Sequence, residues 1–470
     1  MEEFNRHESG QFSTWRRITD TLSFGSRQNI EKQPEPIIKQ QLPFHFSNLS
    51  KSKSLEEFTY NLHLILISLD ELKYFPYDLF SNFNVHEELN NSLKKPLLDE
   101  TATLVLTILG RYYCSDIAGT DGVELLFNSE YPSLILQILK TGCSSQAAGP
   151  LFAGISKMLS FSDEYCDHFL SNRYYVDVKS AIDQLENDTP DIEIMCVIKS
   201  LFMSKAATKH SEQLLTDYLP IVFDYSKYDN EELQRKVYQT LRHAENKFPE
   251  IKTMIVDNGV PQSKILQIDS NTSYRYLKPF LYFLRQLCYH EESIANDLIT
   301  PEFFDHLTDA LAAQSDSWSP TQYNPILIDI GYIFFANRSN YFVFVNSPLF
   351  SLIAELMFSP SFLLSVQSTW ILSGLLSSKD KTLVQTALDA GTLRSLEKML
   401  QIEQKDILLE LLDSLISFLQ MAQSLQIKEW ENEFLSMASM RDVIVNLTEY
   451  PDEEVLDRAA YILKQFYPTD

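Results

Sequence analysis

Residues 383–400, LVQTALDAGTLRSLEKML, contain two short helical patterns separated by Asp389-Ala390-Gly391. Gly391 can adopt the left-handed backbone conformation that ends one helix before the next one begins. Gly259 follows Asp257 and Asn258 in a similar break, whereas Pro301 and Pro348 stand at this position in other parts of the chain. The sequence therefore predicts pairs of short helices joined by tight turns.

The second of these helical patterns recurs along the chain at a nearly constant spacing. It restarts at Tyr131, Tyr174, Tyr218, Val260, Phe303, Leu349, Leu393 and Met440. The successive steps are 43, 44, 42, 43, 46, 44 and 47 residues. A longer pattern, with apolar residues three and four positions apart, lies between the restarts, as in residues 104–109, 192–201 and 407–419. Each unit is therefore predicted to contain a short helix, a second helix and a long third helix, and a period of roughly 40 to 47 residues is typical of armadillo and HEAT arrays.

The composition agrees with a helical protein and excludes one class of function. The chain has 470 residues, of which 39 are basic and 64 acidic, giving a net charge of −25. A protein that binds nucleic acid through bulk positive charge needs an excess of Lys and Arg, so that class is excluded, although a local basic patch is not. Only 12 residues are Gly, which disfavours folds built on Gly-rich phosphate loops.

Two stretches near the C-terminus resemble known armadillo repeats. Residues 383–400 resemble the first two helices of an armadillo repeat, and residues 368–374, STWILSG, resemble the start of its third helix. Residues 440–467 are similar to the closing repeat of importin-alpha. The resemblance implies an all-α fold, a right-handed α-α superhelix (armadillo-like solenoid) of about nine to ten repeats with a concave groove.

The resemblance also implies candidate groove residues. Importin-alpha proteins bind basic nuclear-localisation peptides along the groove, using a Trp on each third helix with an Asn one turn later. Trp370 falls at the Trp position, and Gly374 stands where the family has Asn. The corresponding positions are Tyr332 in the preceding unit, and Asp413 and Ser417 in the following one. These five residues are the predicted partner-groove candidates.

The chain is predicted to have two parts. Residues 1–53 contain Pro34, Pro36 and Pro43 and show no sustained period, which predicts a flexible N-terminal segment. Residues 54–470 are predicted to form the repeat solenoid, and Ser54 with Glu57 forms a plausible capping box at its start.

The sequence offers little support for catalysis or metal binding. Cys166 stands two positions before His168, and Cys288 two positions before His290. On a helix such pairs point about 200° apart, so neither pair can share a proton or a metal ion. No nucleophile-elbow, phosphate-loop or zinc-protease motif is present. We therefore predict no enzymatic activity, no cofactor and no metal site.

The same features favour an intracellular protein. The five cysteines form no Cys-x-x-Cys pair, as expected of reduced thiols, and the first 20 residues lack the apolar run of a secretory signal. Pro360, Gln367 and several serines interrupt the uncharged stretch 356–378, which argues against a membrane span.

The predicted function is therefore a non-enzymatic protein-binding scaffold or adaptor that presents a concave groove to an extended peptide or partner helix. Residues 54–470 carry 31 basic and 58 acidic side chains, a net charge of about −27 that would favour basic partners if it lay in the groove. The alternative is an importin-alpha-like nuclear transport adaptor for basic localisation signals. A cytoplasmic or nuclear location follows from either hypothesis.

Overall fold

The computed structural model describes residues 35–72, 75–95, 99–114, 129–141, 145–161, 163–185, 190–289, 291–314, 317–337, 339–402 and 404–467. Within these ranges the secondary structure consists of 27 α-helices and one 3₁₀-helix. The predicted all-α fold is therefore confirmed. By their contacts the residues form two compact units.

The first unit holds the described residues up to Tyr228 together with residues 246–248. Its helices are α1 (Glu35–Ser50), α2 (Leu55–Asp70), α3 (Tyr77–Asn82), α4 (Val85–Leu93), α5 (Asp99–Cys114), α6 (Tyr131–Thr141), α7 (Ser145–Phe161), α8 (Asp163–Ser171), α9 (Tyr174–Gln184), α10 (Asp191–Met203), a 3₁₀-helix (Lys205–His210) and α11 (Ser211–Tyr225).

The second unit holds residues 229–245 and the described residues from 249 onward. Its helices are α12 (Glu231–Lys247, through residue 245), α13 (Ile251–Asp257), α14 (Val260–Ile265), α15 (Tyr274–Cys288), α16 (Glu292–Leu298), α17 (Pro301–Ala313), α18 (Pro320–Phe335), α19 (Asn340–Val345), α20 (Pro348–Leu356), α21 (Phe362–Leu376), α22 (Lys381–Asp389), α23 (Thr392–Met399), α24 (Lys405–Ser424), α25 (Lys428–Ser436), α26 (Ala438–Leu447) and α27 (Glu453–Phe466).

The helices of the second unit follow one another in threes at the predicted period. The predicted turns are confirmed, because Gly259 (φ 67°) and Gly391 (φ 84°) are left-handed and directly precede α14 and α23. Pro301 and Pro348 occupy the first positions of α17 and α20, where a missing N–H costs nothing. Tyr218 alone among the predicted restarts lies in the middle of its helix, α11.

Hydrogen bonds between equivalent positions of adjacent repeats show the period directly. In the first unit, Tyr218 donates its hydroxyl hydrogen bond to the carbonyl of Tyr175, 43 residues away, at 2.5 Å. In the second unit, Trp430 donates from its indole nitrogen to the side chain of Gln385, 45 residues away, at 2.8 Å. A spacing of about one repeat thus brings polar groups together in both units.

The third helices of the second unit pack side by side. Helix α15 contacts α18, α18 contacts α21, α21 contacts α24, and α24 contacts α27. Residues 364–376 of α21 are all buried because neighbouring helices surround this helix, and none of these residues is charged. Helix α24 is, within the described ranges, the one helix long and apolar enough to cross a membrane. It packs between α21 and α27 as a core helix, and half of its apolar window is buried in the fold.

The structure corrects the predicted flexible segment for residues 35–50. These residues form α1, and four apolar side chains spaced along one face of it are buried, namely Ile38, Leu42, Phe46 and Leu49. Phe46 contacts Phe80 of α3, with ring centroids 4.8 Å apart. Residues 1–34 lie outside the described residues.

The start of α2 follows the predicted capping pattern in part. Ser54 accepts a hydrogen bond from the backbone N–H of Glu57 at 3.1 Å. The Glu57 carboxylate accepts from the backbone N–H of Lys53 rather than from that of Ser54. The prediction that the repeat solenoid spans residues 54–470 stays a prediction.

Candidate functional site

Helix α15 turns a basic and aromatic side toward solvent. Leu277, Leu281 and Leu284 are fully buried and fix the inner side of the helix. A row at helical spacing on the other side is exposed or half-buried, and it contains Arg275, Lys278, Tyr282, Arg285 and Tyr289. No acidic residue occurs in α15. The adjoining α12 carries Arg235 and Arg242, two turns apart and both half-buried.

Arg285 is held in place by contacts to the next third helix. Its Nη1 lies 3.1 Å from Oδ1 of Asp329 on α18. Its guanidinium carbon lies 3.6 Å from the ring centroid of Tyr332, one turn further along α18. Both contacts are of kinds that favour Arg, because the planar guanidinium pairs with a carboxylate and stacks on an aromatic face.

Two further contacts extend this arrangement. The guanidinium of Arg242 lies 5.0 Å from the ring centroid of Tyr282, and that of Arg285 lies 5.5 Å from the same ring. Arg242, Tyr282, Arg285 and Tyr332 thus form a continuous row across α12, α15 and α18, which we call the arginine–tyrosine strip. All four side chains are half-buried, so each keeps a side accessible to solvent.

Asp329 is the buried carboxylate behind the strip. Its side chain is 4% exposed, and burial raises its pKa to about 6 despite the opposing effects of Arg285 and Lys278. The carboxylate is therefore mostly ionised at neutral pH and pairs with Arg285. Protonation near pH 6 removes that partner.

Trp370, the first predicted groove residue, lies within the fold. It is 5% exposed, and its ring lies against the backbone of Gly331 on α18, where a Cβ would overlap the indole. The rings of Tyr332 and Phe335 meet it edge-on, with centroids 5.3 and 4.9 Å away. Its indole N–H donates a hydrogen bond to the Glu410 carboxylate on α24.

Gly374 takes part in a reciprocal contact. The ring of Phe335 on α18 occupies the space in which a Cβ at Gly374 on α21 would lie. Helices α18 and α21 therefore each offer a glycine to an aromatic ring of the other. An Asn side chain, which the importin-alpha pattern places at this position, has no room beside Phe335.

The remaining predicted residues lie on α24. Asp413 is exposed and pairs with Nε of Arg458 at 2.6 Å, and Ser417 is half-buried one turn later. Asp406, Glu410 and Asp413 form an acidic row on one side of α24. Burial raises the pKa of Glu410; the hydrogen bond from Trp370 lowers it, whereas Asp406 and Asp413 raise it.

The structure thus brings some of the predicted residues together and adds others. Tyr332 and Trp370 touch, whereas Asp413 pairs with Arg458 on α27 and Ser417 lies one turn further along α24. The sequence analysis missed Arg242, Arg285 and Asp329. Two features of the sequence could have identified them. Arg242 and Arg285 are 43 positions apart and Arg285 and Asp329 are 44 apart, which is one repeat in each case, and Asp329 is the lone charged residue of an apolar helix.

The cysteines and histidines suggest no second site. Cys166 and Cys288 are buried, Cys196 is half-buried, and all three are free thiols. Burial raises the pKa of Cys288 to about 12, which disfavours the reactive thiolate. His290 lies outside the described residues. Within the described ranges, no three His, Cys, Asp or Glu side chains are grouped so that they could hold a metal ion.

Comparison with known proteins supports the fold. The sequence matches no protein-family model and no curated protein. The structure is similar to the crystal structure of an engineered protein, with a TM-score of 0.69 at 13% identity over 92% of this chain and 100% of the other.

It is also similar to a chain from work on a phosphorylation switch that controls the interaction between cadherin and beta-catenin. That match has a TM-score of 0.65 at 12% identity over 97% of this chain and 94% of the other. At these identities the similarities show the fold alone, and this chain therefore has an armadillo-like helical-repeat fold.

Proposed function

We propose that this chain is a non-enzymatic protein-binding scaffold, and that the third-helix side of its second unit holds an extended peptide or partner helix. One observation carries the proposal. The arginine–tyrosine strip presents two Arg and two Tyr side chains that contact one another across three successive third helices and remain half accessible.

Such a row has the properties of a binding surface. Tyr and Arg are enriched among the residues that dominate binding energies at protein interfaces. Their mutual stacking restricts their rotamers before a partner arrives, which lowers the entropy cost of association.

A displayed library of random peptides tests the proposal while the partner is still unidentified. We expect the unaltered protein to enrich peptides that the double variant Arg242→Gln/Arg285→Gln no longer retains. The matched control Arg394→Gln/Arg441→Gln removes two exposed Arg residues from the second helices α23 and α26. If no peptide is enriched, or if the control variant loses the enriched peptides to the same extent as the Arg242→Gln/Arg285→Gln variant, the proposed function is contradicted.

The alternative of importin-alpha-like nuclear transport stays a prediction. Trp370, which matches the Trp position of the family, and Gly374, which stands in place of its Asn, are both used in packing between α18 and α21. We propose a cytoplasmic or nuclear location for the scaffold, which imaging of the tagged full chain in its own cells would test.

A further inference from the structure

We infer that the arginine–tyrosine strip recognises an acidic protein segment in an extended, polyproline II conformation, with carboxylates about three residues apart. This inference rests on the proposed scaffold function and assigns the chemistry of the partner. It differs from the basic partner that the net charge of the chain favours.

The charge around the strip favours an acidic partner. The chain as a whole has a net charge of −25, yet α15 contains Arg275, Lys278 and Arg285 and no acidic residue. Across α15, α18 and α21 the single acidic residue is Asp329, which is buried, whereas α12 carries Glu231 and Glu232 in its first turn, well before Arg242, and Glu245, which is buried. A positive patch therefore stands out on an acidic protein, and such a patch attracts and orients an acidic partner.

Arg285 and Tyr282 are accessible enough to contact a partner. The Arg285 side chain is 23% exposed although it contacts both Asp329 and Tyr332. A guanidinium has five N–H donors in a planar fork, so one carboxylate at 3.1 Å leaves donors for another. Two guanidinium groups lie near the half-buried ring of Tyr282, and the exposed part of this ring can receive an apolar or aromatic side chain of the same segment.

The repeat geometry sets the spacing of the acidic residues. The guanidinium carbons of Arg242 and Arg285 lie 5.0 and 5.5 Å from the centroid of the same Tyr282 ring, so they are at most about 10.5 Å apart. An extended chain in the polyproline II conformation has three residues per turn and rises about 3.1 Å per residue, so side chains three positions apart lie on the same side, about 9 Å from one another. Carboxylates about three residues apart therefore match the two guanidinium groups.

The acidic row on α24 sets the limit of the acidic segment. Asp406, Glu410 and Asp413 lie on the side of α21 opposite to α18, and Arg458 offsets one of these charges. A run of carboxylates that continued past Trp370 would meet like charge. The acidic residues of the partner are thus confined to α12, α15 and α18.

Fluorescence anisotropy with labelled peptides of about 12 residues tests the inference. The acidic probe carries two Glu residues three positions apart around a Tyr. In the basic and neutral probes, Lys and Gln replace both Glu residues. We expect the acidic probe to bind the full chain at least about tenfold more tightly than either at low salt, and to lose this preference at high salt.

Variants locate the binding. Arg285→Gln should weaken binding of the acidic probe by about tenfold, whereas the matched Arg394→Gln should change it by less than about twofold. Asp329→Asn should strengthen binding severalfold, because it releases Arg285. Circular dichroism of each variant verifies that it is folded, and the opposite directions of Arg285→Gln and Asp329→Asn distinguish recognition from damage to the fold.

Other outcomes would overturn the inference. If the basic probe bound more tightly than the acidic probe, and Arg285→Gln weakened that binding, the scaffold function would stand and an acidic partner would be rejected. Tighter binding of single-stranded oligo-dT than of the acidic probe would assign the strip to nucleic acid instead. Failure of all three peptides to bind, together with an unenriched library, would reject the proposed function itself.

Discussion

The guanidinium of Arg285 donates a hydrogen bond to the carboxylate of Asp329 at 3.1 Å, although the two residues are 44 positions apart in the sequence. One repeat of the solenoid separates them, so adjacent third helices share the pair. The carboxylate is almost fully buried while the Arg remains partly exposed. The pair thus positions a cation at the surface of the second unit.

Binding of the acidic probe should depend on pH through Asp329. Its pKa of about 6 means that lowering the pH from 7.5 to 5.5 protonates it and frees Arg285, while Glu side chains of the probe stay ionised. We expect affinity to rise severalfold over this interval. Besides Asp329, the charged groups at this position are Arg285 and Lys278. Anisotropy titrations at both pH values measure the effect, and Asp329→Asn should remove it.

Gly374→Asn should destabilise the protein and should not create a peptide-binding groove. The Phe335 ring fills the space beside Gly374, so an added side chain overpacks the α18–α21 contact at a cost of at least about 1–3 kcal/mol. Chemical denaturation of Gly374→Asn measures this cost. The same measurement on Gly374→Ala, Phe335→Leu and their double variant gives the energetic coupling between positions 335 and 374. We expect the double variant to be more stable than the sum of the single effects, and simple additivity would refute the contact.

Trp370 should contribute chiefly to stability. Trp370→Ala leaves a cavity against Gly331 and should cost about 3–5 kcal/mol. Trp370→Phe keeps most of the ring volume but removes the hydrogen bond to Glu410, so it should cost less. Thermal unfolding measures both. Unchanged stability in Trp370→Ala would show that the indole is not packed as described and would revive its role as a groove residue.

Phe46→Ala tests whether α1 belongs to the fold. Phe46 is buried against Phe80, and its truncation should lower the free energy of unfolding of the first unit by about 3–5 kcal/mol. Phe44 lies two residues earlier in the same helix and is exposed, so Phe44→Ala is the matched control with little expected effect. Equal stability of the two variants would mean that residues 35–50 are not docked.

Glu245 should make the second unit less stable as the pH rises. It is buried on α12, 3.5 Å from the Lys252 ammonium, and burial raises its pKa to about 7 although Lys252 opposes the shift. Because this folded-state pKa exceeds the ordinary Glu value of 4.5, the folded state holds the proton between these values, and stability falls as pH rises through that window.

The expected loss is up to about 3 kcal/mol, and Glu245→Gln should abolish it. Melting temperatures at pH 5 and pH 8 measure the difference. Glu429→Gln, at an exposed position, serves as the control. A Glu245→Gln variant that keeps the full pH dependence would rule out Glu245 as its source.

Much of the fold could be predicted because its signals are local. The period, the turns at Gly259 and Gly391 and the first positions of α17 and α20 all follow from residues that act within one or two turns of themselves. Helix α1 escaped prediction because Pro43 interrupts its pattern, and its apolar side chains gain their role only against α2 and α3.

The candidate site was less predictable because it depends on contacts one repeat apart. Trp370 was assigned to a groove by its position on a third helix, but the small Gly331 on the preceding helix lets the ring pack inward. Arg242 and Arg285 are ordinary surface cations until the fold places each beside Tyr282. Net charge is also a poor guide here, because it does not reveal where the few cations gather.

Photo-cross-linking tests the central claim most directly. A peptide enriched from the library, synthesised with a photoreactive group beside its Tyr, would be irradiated with the full chain and the attachment sites mapped by mass spectrometry. We predict attachment to α12, α15 and α18 next to Tyr282 and Tyr332, and its loss in Arg242→Gln/Arg285→Gln. Attachment to the second helices, such as α23, or to the first unit would contradict the claim.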